Sequence, residues 1–158
     1  MGLALVLAGC ERSPASVTLA DVNEATRHYE AKQLTFKGRA QRDFVGEHSW
    51  TAPTGSRGTT QGKKQWMHVV PVTSPGWTKA DPVPLWLAPT SKDEDVSAWL
   101  ASLHSLETKP VTGPVVDYAG REPGFRVASG WQKAIEDVTK KHGLVSDPHA
   151  PIVTCPPP

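Results

Sequence analysis

Between Leu34 and Gln41, Leu34, Phe36, Gly38 and Ala40 alternate with Thr35, Lys37, Arg39 and Gln41. That period of two predicts a strand over 34–41 with one solvated face. Before it the period is helical: Leu19, Val22, Ala25, Thr26 and Tyr29 share one face, and Thr18 with Asp21 supplies a start signal. This predicts an amphipathic helix over 19–32. Residues 46–64 are polar and Gly-rich, a loop or a loosely paired hairpin. Residues 66–72 form a second predicted strand, in which Trp66 shares a core-facing side with His68, Val70 and Val72. Pro71 places that strand at an edge or a bulge. A third strand is predicted over 83–87, with Trp86 pointing opposite to Leu85 and Leu87.

Pro89 and Thr90-Ser91 close that strand and open a second helix. Asp93, Glu94 and Asp95 suit its first turn, and Val96, Trp99, Leu100 and Leu103 form its apolar stripe. A fourth strand over 109–118 and a short fifth over 125–128 follow, separated by a turn. Ser129 and Gln132 then make a capping box for a last helix, in which Trp131, Ile135 and Val138 share a face and Gly143 ends the run. Residues 144–158 carry no period and read as a Pro-rich tail. No internal repeat is present.

The predicted order is helix, three strands, helix, two strands, helix, an α+β chain. Strand-strand-strand-helix-strand-strand is the order of an OB-fold, a small antiparallel β-barrel. The alternative is an antiparallel sheet with helices on one face. Composition agrees with short strands and turns: 13 Gly and 15 Pro in 158 residues leave little room for long helices. Seventeen Lys and Arg against sixteen Asp and Glu give a formal charge of +1. A dedicated nucleic-acid binder carries a strong basic excess, so no nucleic-acid partner is expected.

The amino terminus changes the picture most. The run Leu3-Ala4-Leu5-Val6-Leu7-Ala8 is too short to span a bilayer, which takes about 20 residues. It suits the apolar segment of a secretory signal. Leu7-Ala8-Gly9-Cys10 resembles the lipobox of bacterial lipoproteins, a likeness confined to the export signal. The resemblance implies a diacylglyceryl group on the Cys10 sulfur and cleavage that leaves Cys10 first. It also implies a cell-envelope location with the domain facing the periplasm. Glu11 and Arg12 follow with no Asp beside the cysteine, which favours the outer over the inner membrane under enterobacterial sorting rules. No Lys or Arg precedes the apolar run, so the signal is expected to be truncated at its start. The organisation read from the sequence is a signal at 1–9, a lipidated tether at 10–17, a single domain at 18–143 and the tail at 144–158.

Local catalytic signatures are missing from the sequence. Gly55–Lys64 fails as a phosphate loop, with three residues between Gly58 and Gly62 where four are needed and Lys64 in place of Ser or Thr. The six histidines make no HxxxH or HExxH pair, and His142, Asp147 and His149 are close only along the chain. There is no GxSxG elbow, and Ser129 is better used as a helix cap. Asp43, Asp117 and Glu122 sit at strand ends or turns. Cys155 has no partner once Cys10 is lipidated. No cofactor, metal or catalytic residue is expected.

Six Trp against two Tyr and three Phe is the unusual feature. Trp99, Trp131 and Trp66 fit core positions. Trp50, Trp77 and Trp86 are candidates for an exposed binding surface, with Lys37 and Arg39 on the solvated face of the first strand beside them. The leading expectation is a lipid-anchored envelope module that binds a protein or a cell-wall-derived ligand. An envelope hydrolase assembled only in three dimensions and an inhibitor or immunity lipoprotein are the competing classes.

Overall fold

A computed structural model describes residues 15–16, 19, 33–51, 62–90, 95–120 and 128–155. The predicted helix over 19–32 lies outside them except for Leu19, which is buried. Most of the predicted fifth strand lies outside them too; its last residue, Ala128, is buried and not in a strand.

The alternation at 34–41 produces two short strands rather than one. β2 (Gln33–Phe36) and β3 (Arg39–Ala40) are separated by Lys37 and Gly38, and β1 (Ala15–Ser16) lies parallel to β2. At Gly38 the chain bends against the core: a Cβ there would collide with Leu19 and come within 2.9 Å of Val72 Cγ1. The polar stretch that follows is a paired ribbon where it is described. β4 (Gly46–Thr51) runs antiparallel to the first six residues of β5 (Lys64–Thr73), from Gly46 opposite Val69 to Thr51 opposite Lys64.

Pro71 is buried inside β5, not at an edge. On one side of β5 the pairing passes from β4, ending at Val69, to β3, starting at Val72. The missing proline N–H falls in that gap, and the Pro71 carbonyl accepts from the Gln41 amide at 2.9 Å.

β6 (Pro82–Val83) precedes β7 (Leu85–Pro89), in which four consecutive residues, Leu85 to Ala88, are buried. The second helix, α1 (Val96–Ser102), is capped by Asp95; Ser91, Asp93 and Glu94 lie outside the described residues. The Asp95 carboxylate accepts from Ser97 N at 2.9 Å and Ala98 N at 3.3 Å. A 3-10 helix (Leu103–Glu107) continues it into β8 (Val111–Tyr118). α2 (Gly130–His142) starts on the predicted Ser129–Gln132 capping box. It ends at Gly143, whose φ of 67° is the left-handed conformation that glycine adopts without a Cβ penalty. β9 (Val145–Ser146) pairs with β6.

The segment read as a tail is a central strand. β10 (Pro151–Cys155) lies between β8, antiparallel, and β7, parallel. Pro151, Ile152, Val153 and Cys155 are all buried, so the domain continues to Cys155. A strand covered on both faces has no polar alternation to reveal it.

The result is an α+β fold dominated by one strongly curled sheet, ordered β1-β2-β8-β10-β7-β5-β3 with β4 paired to β5. One face gathers Leu34, Phe36, Val70, Val72, Leu85, Leu87 and Val153 from strands along the whole path, closed by Trp99, Leu103 and Leu106 of α1 and the 3-10 helix. The other face of β5, β7 and β10 carries Val69, Trp86, Ala88 and Ile152 against Ala134, Ile135 and Val138 of α2. The helices thus divide between the two faces of the sheet.

Candidate functional site

The residues expected to form one binding surface are dispersed. Trp86 is fully buried, and its indole N–H donates to Ser146 Oγ at 3.2 Å. It does point opposite to Leu85 and Leu87, but α2 covers that side too. Trp86 is therefore a core residue and leaves the candidate surface. Trp77 is half-buried. Its indole N–H sits 3.1 Å from the Asp81 carbonyl and 3.3 Å from that of Pro82, and its ring meets Phe44 edge-on with centroids 6.4 Å apart. It mainly closes the turn after β5, beside an open cleft of about 370 Å³ that also involves Pro84 and Asp147.

Lys37 and Arg39 are exposed as expected. Arg39 Nε lies 3.5 Å from Glu107 Oε1, an exposed ion pair of little energetic weight. Arg39 also lines a polar cleft of about 390 Å³ with Arg42, Asp43, His104 and Glu107. His104 Nδ1 is 2.7 Å from the Ala101 carbonyl, which favours the tautomer that donates from Nδ1.

Trp50 stands elsewhere. It is half-buried on β4 opposite Gln65, whereas Arg39 is opposite Thr73. Eight strand positions separate the two, about 26 Å along β5 at the usual rise. Trp50 therefore does not share a surface with Arg39 or with Trp77, which follows the far end of β5.

The ribbon places a tryptophan that sequence reasoning assigned to the core at the surface. Trp66 is 37% exposed. It shares a face with Val70 and Val72, as the period of two requires, but it lies beyond the part of β5 paired with β7. The buried face becomes a solvent-facing one there. Trp66 and His68 are nearly parallel, 16° apart with centroids separated by 6.3 Å, and Lys64 Nζ lies 4.3 Å from the Trp66 ring centroid. Trp50 and His48 make a matching pair on the opposite face, at 15° and 6.3 Å. His68 Nε2 is 3.7 Å from Glu47 Oε2. Burial holds His68 below its ordinary value of 6.5 against the pull of Glu47, so the imidazole is neutral at pH 7.

The described residues of the catalytic alternatives are engaged in local structure. Ser129 Oγ accepts from Gln132 N at 3.2 Å and donates to Asp117 Oδ2 at 2.6 Å, so its hydroxyl is engaged in starting α2. His142 packs on Phe44 at 5.2 Å, while Asp147 accepts the His149 amide at 2.8 Å, a local turn contact. Glu122 lies outside the described residues, as do most of Gly55–Lys64 and Cys10.

Cys155 is buried among Leu34, Phe36 and Val153 on the inner face of the sheet. Burial pushes its thiol up to about 12. In a chain carrying Cys10→Ser, iodoacetamide at pH 8 is expected to label folded protein on the order of a thousandfold more slowly than urea-unfolded protein, because so little thiolate forms. Equal rates would place the thiol outside the core.

No family model, curated protein or solved structure matches this chain.

Proposed function

We propose that the protein is a lipid-anchored binding module of the bacterial cell envelope, held on the membrane through Cys10 and meeting its ligand through the β4–β5 ribbon. The observation that carries the ligand side is the exposed Trp66 on a two-stranded ribbon with a second aromatic pair, Trp50 and His48, on its reverse. A large exposed aromatic on a backbone-paired element loses little freedom on binding, which is why such residues dominate contact energetics. Lys37, Arg39 and Trp77 belong to the opposite end of β5 and are not part of this contact.

The finer fold reading is an OB-like barrel. It is supported by the path β2-β8-β10-β7-β5-β3, whose outermost long-path strands, β2 and β3, are separated by only Lys37 and Gly38. In that reading β2 and β3 are two halves of a first strand, and β10, not residues 125–128, is the fifth. The ribbon then stands in the loop between the first and second strands, one of the loops OB-folds use for ligands. Near-neutral charge disfavours nucleic acid as that ligand.

The anchor is tested by fractionation. Wild-type protein is expected in the membrane pellet and the Cys10→Ser variant in the soluble fraction. A soluble wild type would remove the anchor. The ribbon is tested with the Cys10→Ser chain on washed envelope fragments, where saturable binding should weaken on Trp66→Ala. Binding indifferent to Trp66 would remove the ribbon from the reading.

A further inference from the structure

The antiparallel register decides which side chains surround Trp66. Ser49 lies directly opposite Trp66, Glu47 opposite His68 and Thr51 opposite Lys64. Directly opposed residues share a face. Among the described residues, one side of the ribbon is therefore an indole with Lys64, His68, Ser49, Glu47 and Thr51 around it, and no second apolar side chain.

That composition separates two kinds of ligand. A protein hot spot needs an apolar or well-packed surround that excludes water from the anchor. The described ribbon neighbours of Trp66 on this face are all hydrogen-bonding groups, so a ligand that dries this surface must itself supply partners at many points. A glycan does so. Each pyranose ring offers a patch of C–H groups to an aromatic plate and hydroxyl or amide groups around its rim. The Lys64 ammonium rests on the indole at 4.3 Å. An exposed contact of this kind is weak and yields readily to an incoming ring.

Strand directions place this face relative to the tether. β1 is parallel to β2, β2 antiparallel to β8, β8 antiparallel to β10, β10 parallel to β7, and β7 antiparallel to β5. The chain therefore enters at Ala15 on the end of the sheet where β5 finishes, and the ribbon extends from the end where β5 begins. Four residues lie between Cys10 and Ala15, and those five steps of chain reach at most about 18 Å. A lipid on Cys10 holds the entry end near the membrane. The ribbon is then presented away from the lipid surface, which favours a cell-wall occupant over a membrane one.

Resting on the binding-module reading, we propose that the Lys64–Trp66–His68 face binds a cell-wall glycan of the β-linked N-acetylhexosamine class, with a pyranose ring stacked on Trp66. Neighbouring polar groups of β4 and β5 meet the rim of the sugar.

The test uses the full chain carrying Cys10→Ser and two probes: protease-stripped bacterial sacculi and the soluble tetramer of β-1,4-linked N-acetylglucosamine. The expected results are saturable cosedimentation with sacculi, loss of that binding after muramidase digestion, and competition by the tetramer. Trp66→Ala should weaken binding at least about tenfold, the usual minimum for removing a dominant contact residue. Trp66→Phe should retain part of it, and Lys37→Ala, exposed at the opposite end of β5 and outside this contact, should stay within about twofold. Trp66→Phe also serves if Trp66→Ala lowers the thermal transition. Sacculi that bind no protein, or that bind Trp66→Ala as well as wild type, overturn the glycan assignment. If envelope fragments lose binding to protease but not to muramidase, the ligand is a protein: the glycan assignment fails and the module stands. If Trp66 matters for no envelope fragment, both fail.

Discussion

A chain ending at Ser146 is expected not to fold, although it retains α1, α2 and every strand before β10. Removing residues 147–158 takes out the strand between β7 and β8 and cuts the curled sheet into β1-β2-β8 and β7-β5-β3. Ala150, Ile152 and Val153 are each 0% exposed, and Cys155 is 3% exposed. Ile152 and Val153 alone represent about 3–6 kcal/mol of side-chain burial. The cut also leaves the facing backbone edges of β7 and β8 without partners in an apolar surround, a further cost per buried group. Against a total stability of about 5–15 kcal/mol for an ordinary domain, that loss is decisive. The shortened chain should show no cooperative thermal transition and no slowly exchanging amides. A cooperative transition near that of the full chain would mean that β10 is peripheral.

The failure to read β10 in the sequence has a physical cause. Surface strands announce themselves by alternation, and β2 was legible on that basis, as was α2 from its capping box and its Gly143 stop. Pro151-Ile152-Val153-Thr154-Cys155 has no alternation because α2 covers one face and the inner core the other. Its prolines made the same residues look like a tail. Pro71 misled in a related way. A proline inside a sheet need not mark an edge when pairing on one side changes strands at that residue. The ribbon around Trp66 was hidden for the opposite reason. The period of two assigns Trp66 correctly to the face of Val70 and Val72, but not where along β5 that face leaves the core. The end of β7 pairing decides this, and it is a tertiary fact. Of the candidate surface, the exposure of Lys37 and Arg39 was legible, whereas their distance from Trp50 along β5 was not.

Replacing Trp86 by Ala is expected to cost about 3–5 kcal/mol, the range for emptying a buried aromatic site. In a domain of this size that lowers Tm by roughly 10 °C. The indole is fully buried between β7 and α2, with Val69, Ala88, Ile135 and Ile152 in the same cluster, so collapse around a cavity would require the helix to move. Trp86→Phe separates two contributions. It keeps most of the packing but removes the hydrogen bond to Ser146, leaving a loss nearer about 1–2 kcal/mol. Trp99 provides the contrast on the inner face, because its buried indole N–H has no hydrogen-bond partner among the described residues. Trp99→Phe discards an unsatisfied donor along with some volume and should cost less than Trp86→Phe. Trp66→Ala, at the exposed end of the ribbon, should fall below about 1 kcal/mol. Denaturant midpoints for the four variants check the order. If Trp86→Ala is no more damaging than Trp66→Ala, Trp86 is a surface residue after all, and the packing of α2 on the sheet is wrong.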